Sequence, residues 1–186
     1  MRRQPDDAGT RRYFLGLALG AFATTISGPA LAARRALPKR TLALNSLHTG
    51  ESANLVYWAD GKYLRDPMKR LAWILRDHRT NEIHPIDPRL FDLLSGLRGR
   101  LDASQPFQVV SGYRSPATNA LLAKMTDGVA EHSLHMQGWA IDIRVPSRKL
   151  SSVREAAMSL KSGGVGYYPR SNFVHVDVGR IRHWTA

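Results

Sequence analysis

Apolar and polar positions along this chain change period several times, and each change marks an element. Residues 41–46 and 54–58 are short β-prone runs flanking His48-Thr49-Gly50-Glu51, a turn-like cluster with a glycine in it, so an opening hairpin is expected. After Asp66-Pro67, the apolar residues Met68, Leu71, Ala72 and Leu75 recur at helical spacing and predict a first helix running to about Arg79. Asp87-Pro88 opens a second helix in the same manner, with Leu90, Leu93, Leu94 and Leu97 as its buried face. A short β-rich run follows at 107–110, then a third helix from Ser115-Pro116 to about Lys124 and a fourth over 151–162. Residues 139–145 and 173–178 are strand-like. Helices mainly in the first half, strands mainly in the second and no regular βα alternation predict an α+β domain: a small antiparallel sheet with helices packed on it.

The first residues follow a different pattern. Thr10-Arg11-Arg12-Tyr13-Phe14-Leu15 leads into an apolar run to about Phe22, and Ala30-Leu31-Ala32 supplies small residues for a cleavage site. A positive region, a short apolar region and a small-residue site in that order read as a twin-arginine export signal over 1–32. The apolar stretch is shorter than the ~20 residues a spanning helix needs, so no stable membrane span is expected in the mature form. Residues 33–40 are basic and apolar-poor, as in an extended linker, and the domain proper is expected over 41–186. The implied partner during export is the twin-arginine translocase, and the implied compartment is the periplasm.

Composition narrows the function classes. With 186 residues, 43% hydrophobic and 23% charged, the chain has the make-up of one globular domain rather than a disordered or membrane-embedded one. It has no cysteine, so any metal must be held by His, Asp or Glu. Net charge is +12, and residues 1–32 contribute four Arg and two Asp, leaving +10 on the rest. So basic a chain suits an acidic polymer, an anionic membrane or nucleic acid, and export makes nucleic acid the poorest fit.

Three stretches hold the polar residues that are hardest to explain as surface: Ser111-Gly112-Tyr113-Arg114-Ser115, then 133–142, then Phe173-Val174-His175-Val176-Asp177. Gly138 permits a turn, and the strand after it puts Ala140, Asp142 and Arg144 on one face and Trp139, Ile141 and Ile143 on the other. The same period of two sets Phe173, His175 and Asp177 against Val174, Val176 and Val178. A carboxylate and imidazoles between apolar strands are costly to bury unless paired or bound to a cation. Two His and one Asp around zinc leave a fourth tetrahedral position open, as catalytic sites do. Satisfaction by local hydrogen bonds is the competing explanation.

The pattern Ser-x-His-x-x-Gly-x-Ala-x-Asp, filled by Ser133, His135, Gly138, Ala140 and Asp142, resembles the signature of D-Ala-D-Ala carboxypeptidase-like zinc peptidases of the hedgehog/DD-peptidase type. Within that superfamily the chain is most similar to the twin-arginine-exported murein endopeptidase K type, formerly a domain of unknown function. The resemblance runs from the export signal to about Trp184 and includes 47–51, 111–115 and 173–179. It implies a hedgehog/DD-peptidase-like fold, Zn2+ held by His135, Asp142 and His175, and Arg114 as the cationic partner of the substrate. A salt bridge that only pins its loop is the other reading of Arg114. The implied activity is zinc-dependent hydrolysis of the peptide cross-links of peptidoglycan, with stem peptides as partners. A zinc-containing peptidoglycan-binding domain without activity and a D-Ala carboxypeptidase are the alternatives.

The chain departs from its relatives at the general base. Dipeptidase-like relatives carry a Glu three residues before the second zinc His, where this chain has Asn172; others carry a His two residues before it, where this chain has Phe173. Asp177, two residues after His175 on the same strand face, is the best substitute, either as catalytic base or as a carboxylate orienting His175. His132 is a weaker candidate. His48 and Glu51 suit a turn-stabilising role better than the cleft, and His78, His84 and His183 are expected on the surface.

Overall fold

The computed structural model describes residues 38–125 and 130–186. The expected signal over 1–32 and residues 33–37 of the expected linker lie outside the described residues. The opening hairpin is β1 (Arg40–Ser46) and β2 (Ser52–Ala59), antiparallel, with a two-residue β3 (Lys62–Tyr63) returning on β2. Two helices follow, α1 (Arg65–Ile74) and α2 (Pro88–Leu101), then β4 (Phe107–Ser111) and α3 (Pro116–Met125). A 3-10 turn over Leu134–Gln137 leads to β5 (Ala140–Arg144), followed by α4 (Leu150–Ser159), β6 (Gly164–Tyr168), β7 (Phe173–Asp177) and β8 (Arg182–Thr185).

The α+β class holds, but the sheet is neither small nor purely antiparallel. Among the described residues it has eight strands in the order β3-β2-β1-β4-β5-β7-β6-β8, and both β1/β4 and β6/β8 pair in parallel. The chain passes through α1 and α2 between β1 and β4, and helical crossovers of this kind are what allow parallel pairing. The Gly-rich stretch 163–169 contains β6, paired on both sides by β7 and β8.

Helix boundaries follow local chemistry. Pro88 begins α2 behind Asp87, whose side chain accepts from the Arg89 N–H at 2.8 Å and so caps an orphan donor. α1 ends at Ile74 rather than near Arg79, because the Leu75 carbonyl accepts from the Tyr113 N–H at 2.7 Å and the Asp77 N–H turns away to the Glu82 carbonyl. α4 starts one residue before expectation and stops three short, where Lys161 takes a left-handed φ of 50°.

The core lies between the helices and one face of the sheet. Leu71, Leu75, Leu90, Leu94 and Leu97 from α1 and α2 pack with Leu42, Leu44, Phe107, Ile141, Ile143, Val174 and Val176 from the strands. Alternation along β5 and β7 therefore commits Ile141, Ile143, Val174 and Val176 to the core and turns Asp142 and His175 to the other face. Among the described residues no helix is long and apolar enough to cross a membrane.

Candidate metal centre and cleft

Sheet register brings the site together. Asp142 on β5 is directly opposite His175 on β7 and is also paired with Ser111 on β4, while His175 faces Gly166 on β6, which faces Trp184 on β8. One row of paired positions thus crosses five strands on the face away from α1, α2 and α4. His135 joins it from the 3-10 turn. That turn is capped by Ser133, whose hydroxyl oxygen accepts from the His135 N–H at 3.3 Å, and it closes at Gly138 with a left-handed φ of 67°. A side chain at Gly138 would also collide with the Pro85 carbonyl, so the position needs glycine twice over.

His135, Asp142 and His175 are all buried, and one ligand atom from each lies within 4.8 Å of the others. The His135 Nδ1 stands 2.6 Å from the Gly112 carbonyl oxygen and must donate to it, which leaves a lone pair on Nε2. The His175 Nε2 stands 3.1 Å from the Asp177 Oδ2 and donates there, leaving a lone pair on Nδ1. Those two lone pairs lie 3.1 Å apart and reach the Asp142 Oδ1 at 3.2 and 2.9 Å. Three acceptors converging at such distances repel one another unless a cation or added protons lie between them. An ion bonded tetrahedrally at about 2.0–2.1 Å holds its ligand atoms roughly 3.3 Å apart, close to the spacing observed. The residues present fit a metal ion.

Electrostatics agree with that reading. Burial pushes the Asp142 carboxyl up, but the charges and hydrogen bonds of His135 and His175 outweigh it and hold Asp142 well below its ordinary range. Burial alone would push His175 down, yet its bonds to Asp142 and Asp177 raise it. A buried carboxylate held in its charged form beside two imidazoles is a place where a cation is favoured.

Arg114 reaches the centre from the 112–115 loop, its Nη2 3.7 Å from the Asp142 Oδ2. The loop is tied on every side. Gly112 leaves no room for a side chain against Leu75, Tyr113 donates through its hydroxyl to Glu82 at 2.7 Å, and the Ser115 N–H and hydroxyl both donate to the buried Asp77. The Arg114 N–H donates to the His135 carbonyl at 3.2 Å, and Nη1 donates to Asn119 at 3.2 Å. Its Nε is buried without a partner among the described residues. Burial lowers the guanidinium below its ordinary value, with Asp142 opposing. A guanidinium fixed in this way beside the centre can bind a substrate oxygen. Nothing in the sequence pattern marks Asp77 or Asn119 for these supporting positions.

Asp177 is fully buried behind His175 rather than beside the open side of the centre. Its Oδ1 accepts from the Gly164 and Gly179 N–H groups and from Arg182, and its Oδ2 accepts from His175 and Arg182. Burial pushes its carboxyl up, and these bonds outweigh burial and hold it far below its ordinary range. Asp177 thus stands behind the His175 ring and outside the cleft lining, with both carboxylate oxygens engaged.

A cleft of about 650 Å³ opens over the three candidate ligands, lined also by Arg114, Arg170, Arg182, His132 and the rings of Tyr168, Phe173 and Trp184. Among the described residues of its lining Asp142 is the single acidic one beside three arginines, a charge balance that suits an anionic substrate. His132 does line the cleft, whereas Asn172 does not; its carbonyl accepts from the Arg144 Nε at 2.6 Å. Glu51 binds Trp73 and Arg76, and His48 stacks on His78 at 3.9 Å between centroids, both outside the cleft.

The sequence profile of peptidoglycan L,D-endopeptidase MepK matches residues 34–184. Peptidoglycan L,D-endopeptidase MepK of Escherichia coli K12 is 44% identical over 180 residues, covering 96% of this chain and 98% of the relative. The probable peptidoglycan L,D-endopeptidase MepK of Haemophilus influenzae is 37% identical over 176 residues, 94% and 95% of the two chains. With the match spanning the centre, the Arg114 loop and the cleft walls, the chain belongs to the peptidoglycan L,D-endopeptidase MepK family.

Proposed function

We propose that this chain is a zinc-dependent murein endopeptidase that hydrolyses L,D peptide bonds in the cross-links of peptidoglycan, working in the periplasm after export through the twin-arginine translocase. The observation that carries the reading is the convergence of His135 Nε2, His175 Nδ1 and Asp142 Oδ1 on the floor of a cationic cleft, in a chain of this family. The bond specificity rests on the names its relatives carry.

His135, Asp142 and His175 would hold the ion, and zinc suits a site of two imidazoles, one carboxylate and no thiolate. When bound, zinc supplies Lewis acidity that polarises a carbonyl and makes water a stronger nucleophile at neutral pH. Gly112 fixes the tautomer of His135 through its carbonyl, and Asp177 fixes that of His175, so both rings present lone pairs inward. Arg114, in the cleft wall beside Asp142, holds the substrate and stabilises charge that develops on the carbonyl oxygen. The stem peptides carry free carboxylates, which the arginines of the cleft attract.

A zinc-containing binding domain without activity is the second reading, favoured by Asn172 at the position where some relatives carry a Glu. One experiment separates the two. Purified protein is incubated with murein sacculi and with cross-linked muropeptide dimers, with chelator and then with zinc restored. Zinc-dependent conversion of dimers to monomers supports the enzyme, whereas murein that is retained but uncut supports the binding domain.

A further inference from the structure

With Asp177 withdrawn behind His175, the question is which cleft residue can meet the oxygen of the substrate besides Arg114. His132 and Arg170 line the cleft, but both are exposed and make no hydrogen bond or ion pair among the described residues, so neither is held in one position. Arg182 is committed through both terminal nitrogens to Asp177. Tyr168 differs from all of these.

Its placement begins at Gly166. A Cβ there would stand 2.6 Å from a carbon of the Trp184 indole and 2.9 Å from a carbon of the Tyr168 ring, so glycine is what lets both rings lie over the strand beside His175. The Trp184 indole sits 5.3 Å from the His175 imidazole, centroid to centroid, and its Nε1 donates to the Tyr168 hydroxyl at 3.0 Å. Tyr168 also stacks on Phe173 at 4.4 Å, with 17° between the planes. The phenol is therefore fixed by the hydrogen bond from Trp184 and by stacking on Phe173, and it shares the cleft with Arg114 and the three candidate ligands. Having accepted from Trp184, the hydroxyl keeps its own proton, which has no acceptor among the described residues. A donor already aimed and already desolvated on one side costs no reorganisation when charge develops in front of it.

We propose that Tyr168 is a catalytic residue whose hydroxyl donates a hydrogen bond to the substrate oxygen on which negative charge develops as the scissile carbonyl is attacked, with Trp184 as the residue that positions it. The assignment rests on the endopeptidase reading above. The phenol keeps its proton throughout, so no base is required for its part, and together with Arg114 it gives that oxygen two donors from this chain.

The test uses the full-length protein loaded with zinc, a soluble cross-linked muropeptide dimer as substrate, and two variants. Y168F retains the ring and its stacking and removes only the hydroxyl; W184F retains a ring at 184 and removes the N–H that aims the phenol. For Y168F, kcat should fall by about 10²-fold, the scale for loss of one donor to a developing oxyanion, with KM, zinc content and the affinity of metal-free protein for the dimer near wild type. W184F should lose less, because the phenol remains but is no longer held. Wild-type kcat in Y168F, or a rise in KM alone, overturns the assignment. If Y168F does not fold, W184F decides: lowered kcat at unchanged KM supports it, and unchanged kcat overturns it. A wild-type protein that cuts no dimer defeats both this assignment and the endopeptidase reading, while a wild type that cuts as fast as Y168F defeats this one alone.

Discussion

Asp177 accepts a hydrogen bond from the His175 Nε2 at 3.1 Å on the side of the ring away from the Asp142 carboxylate, which the Nδ1 reaches at 2.9 Å. The imidazole is thus held between two carboxylates, one in the centre and one behind it. Asp177 is itself held by two backbone N–H groups and by Arg182. Side chains at Gly164 or Gly179 would press on this carboxylate, so the two glycines let the backbone close around it.

Asp177→Asn separates orientation from base catalysis. If the carboxylate orients His175, the variant should bind zinc about 10 to 100-fold more weakly, and added zinc should restore much of the rate. Zinc titration of the metal-free protein, followed by rates at saturating zinc, reads both quantities. A general base would give the opposite pattern, with unchanged zinc affinity and a rate that zinc does not rescue.

Replacing His135, Asp142 or His175 by Ala should lower bound zinc well below one per chain, and melting temperature should become insensitive to added zinc. In the wild type, zinc should raise the melting temperature, since an ion that binds only the folded chain stabilises it. Metal analysis and thermal unfolding check this together. Full occupancy in all three variants would be incompatible with the assigned ligands.

The stretch from Ser133 to Asp142 is legible in the sequence because its constraints are local. A capping hydroxyl, a ligand on one turn, a glycine with positive φ and a strand of period two each leave a mark at fixed spacing. His175 is legible for the same reason, as the polar interruption of a valine alternation. What lies outside local spacing is not. The parallel pairing of β1 with β4 depends on how two helices pack, and β6 looks like a turn because its glycines carry no β-propensity. The missing side chain is instead what admits the Trp184 and Tyr168 rings at Gly166 and the Asp177 and Arg182 side chains at Gly164. The inaccessibility of Asp177 is equally invisible, because period two gives the face of a strand and not what lies over it. Asp77 sits just beyond α1, and only its long-range bonds to Ser115 connect it to Arg114.

Arg11→Lys together with Arg12→Lys keeps positive charge at the N-terminus while removing the pair. If that pair is read as an export address, the doubly substituted protein should accumulate in the cytoplasm and the wild type in the periplasm. Fractionation followed by immunoblotting distinguishes them. Normal periplasmic recovery would mean that the pair is not the address and that another route is used.

Asp77 offers a test that joins stability to function. Burial pushes its carboxyl up, but hydrogen bonds from Thr118, Ser115 and Arg79 outweigh burial and bring it from an ordinary 3.8 down to about 2. Because the folded value lies below the unfolded one, the charged form favours folding: its contribution is complete above about pH 4 and disappears as pH falls toward 2. A depression of that size corresponds to about 2 kcal/mol. Asp77→Asn should therefore be less stable than wild type by about that amount at pH 6, and the difference should shrink as pH is lowered to about 3, as denaturant unfolding at the two pH values would show. Comparison with wild type cancels the other depressed carboxylates, Asp142 and Asp177 among them. The same substitution loosens Ser115, the neighbour of Arg114, without touching a candidate ligand. Activity at pH 7 should then fall by about 10-fold or more with zinc content intact, because a guanidinium that is no longer held in place is a poorer partner for developing charge. A variant that lost stability but kept full activity would show that Arg114 is positioned by Asn119 and the His135 carbonyl alone.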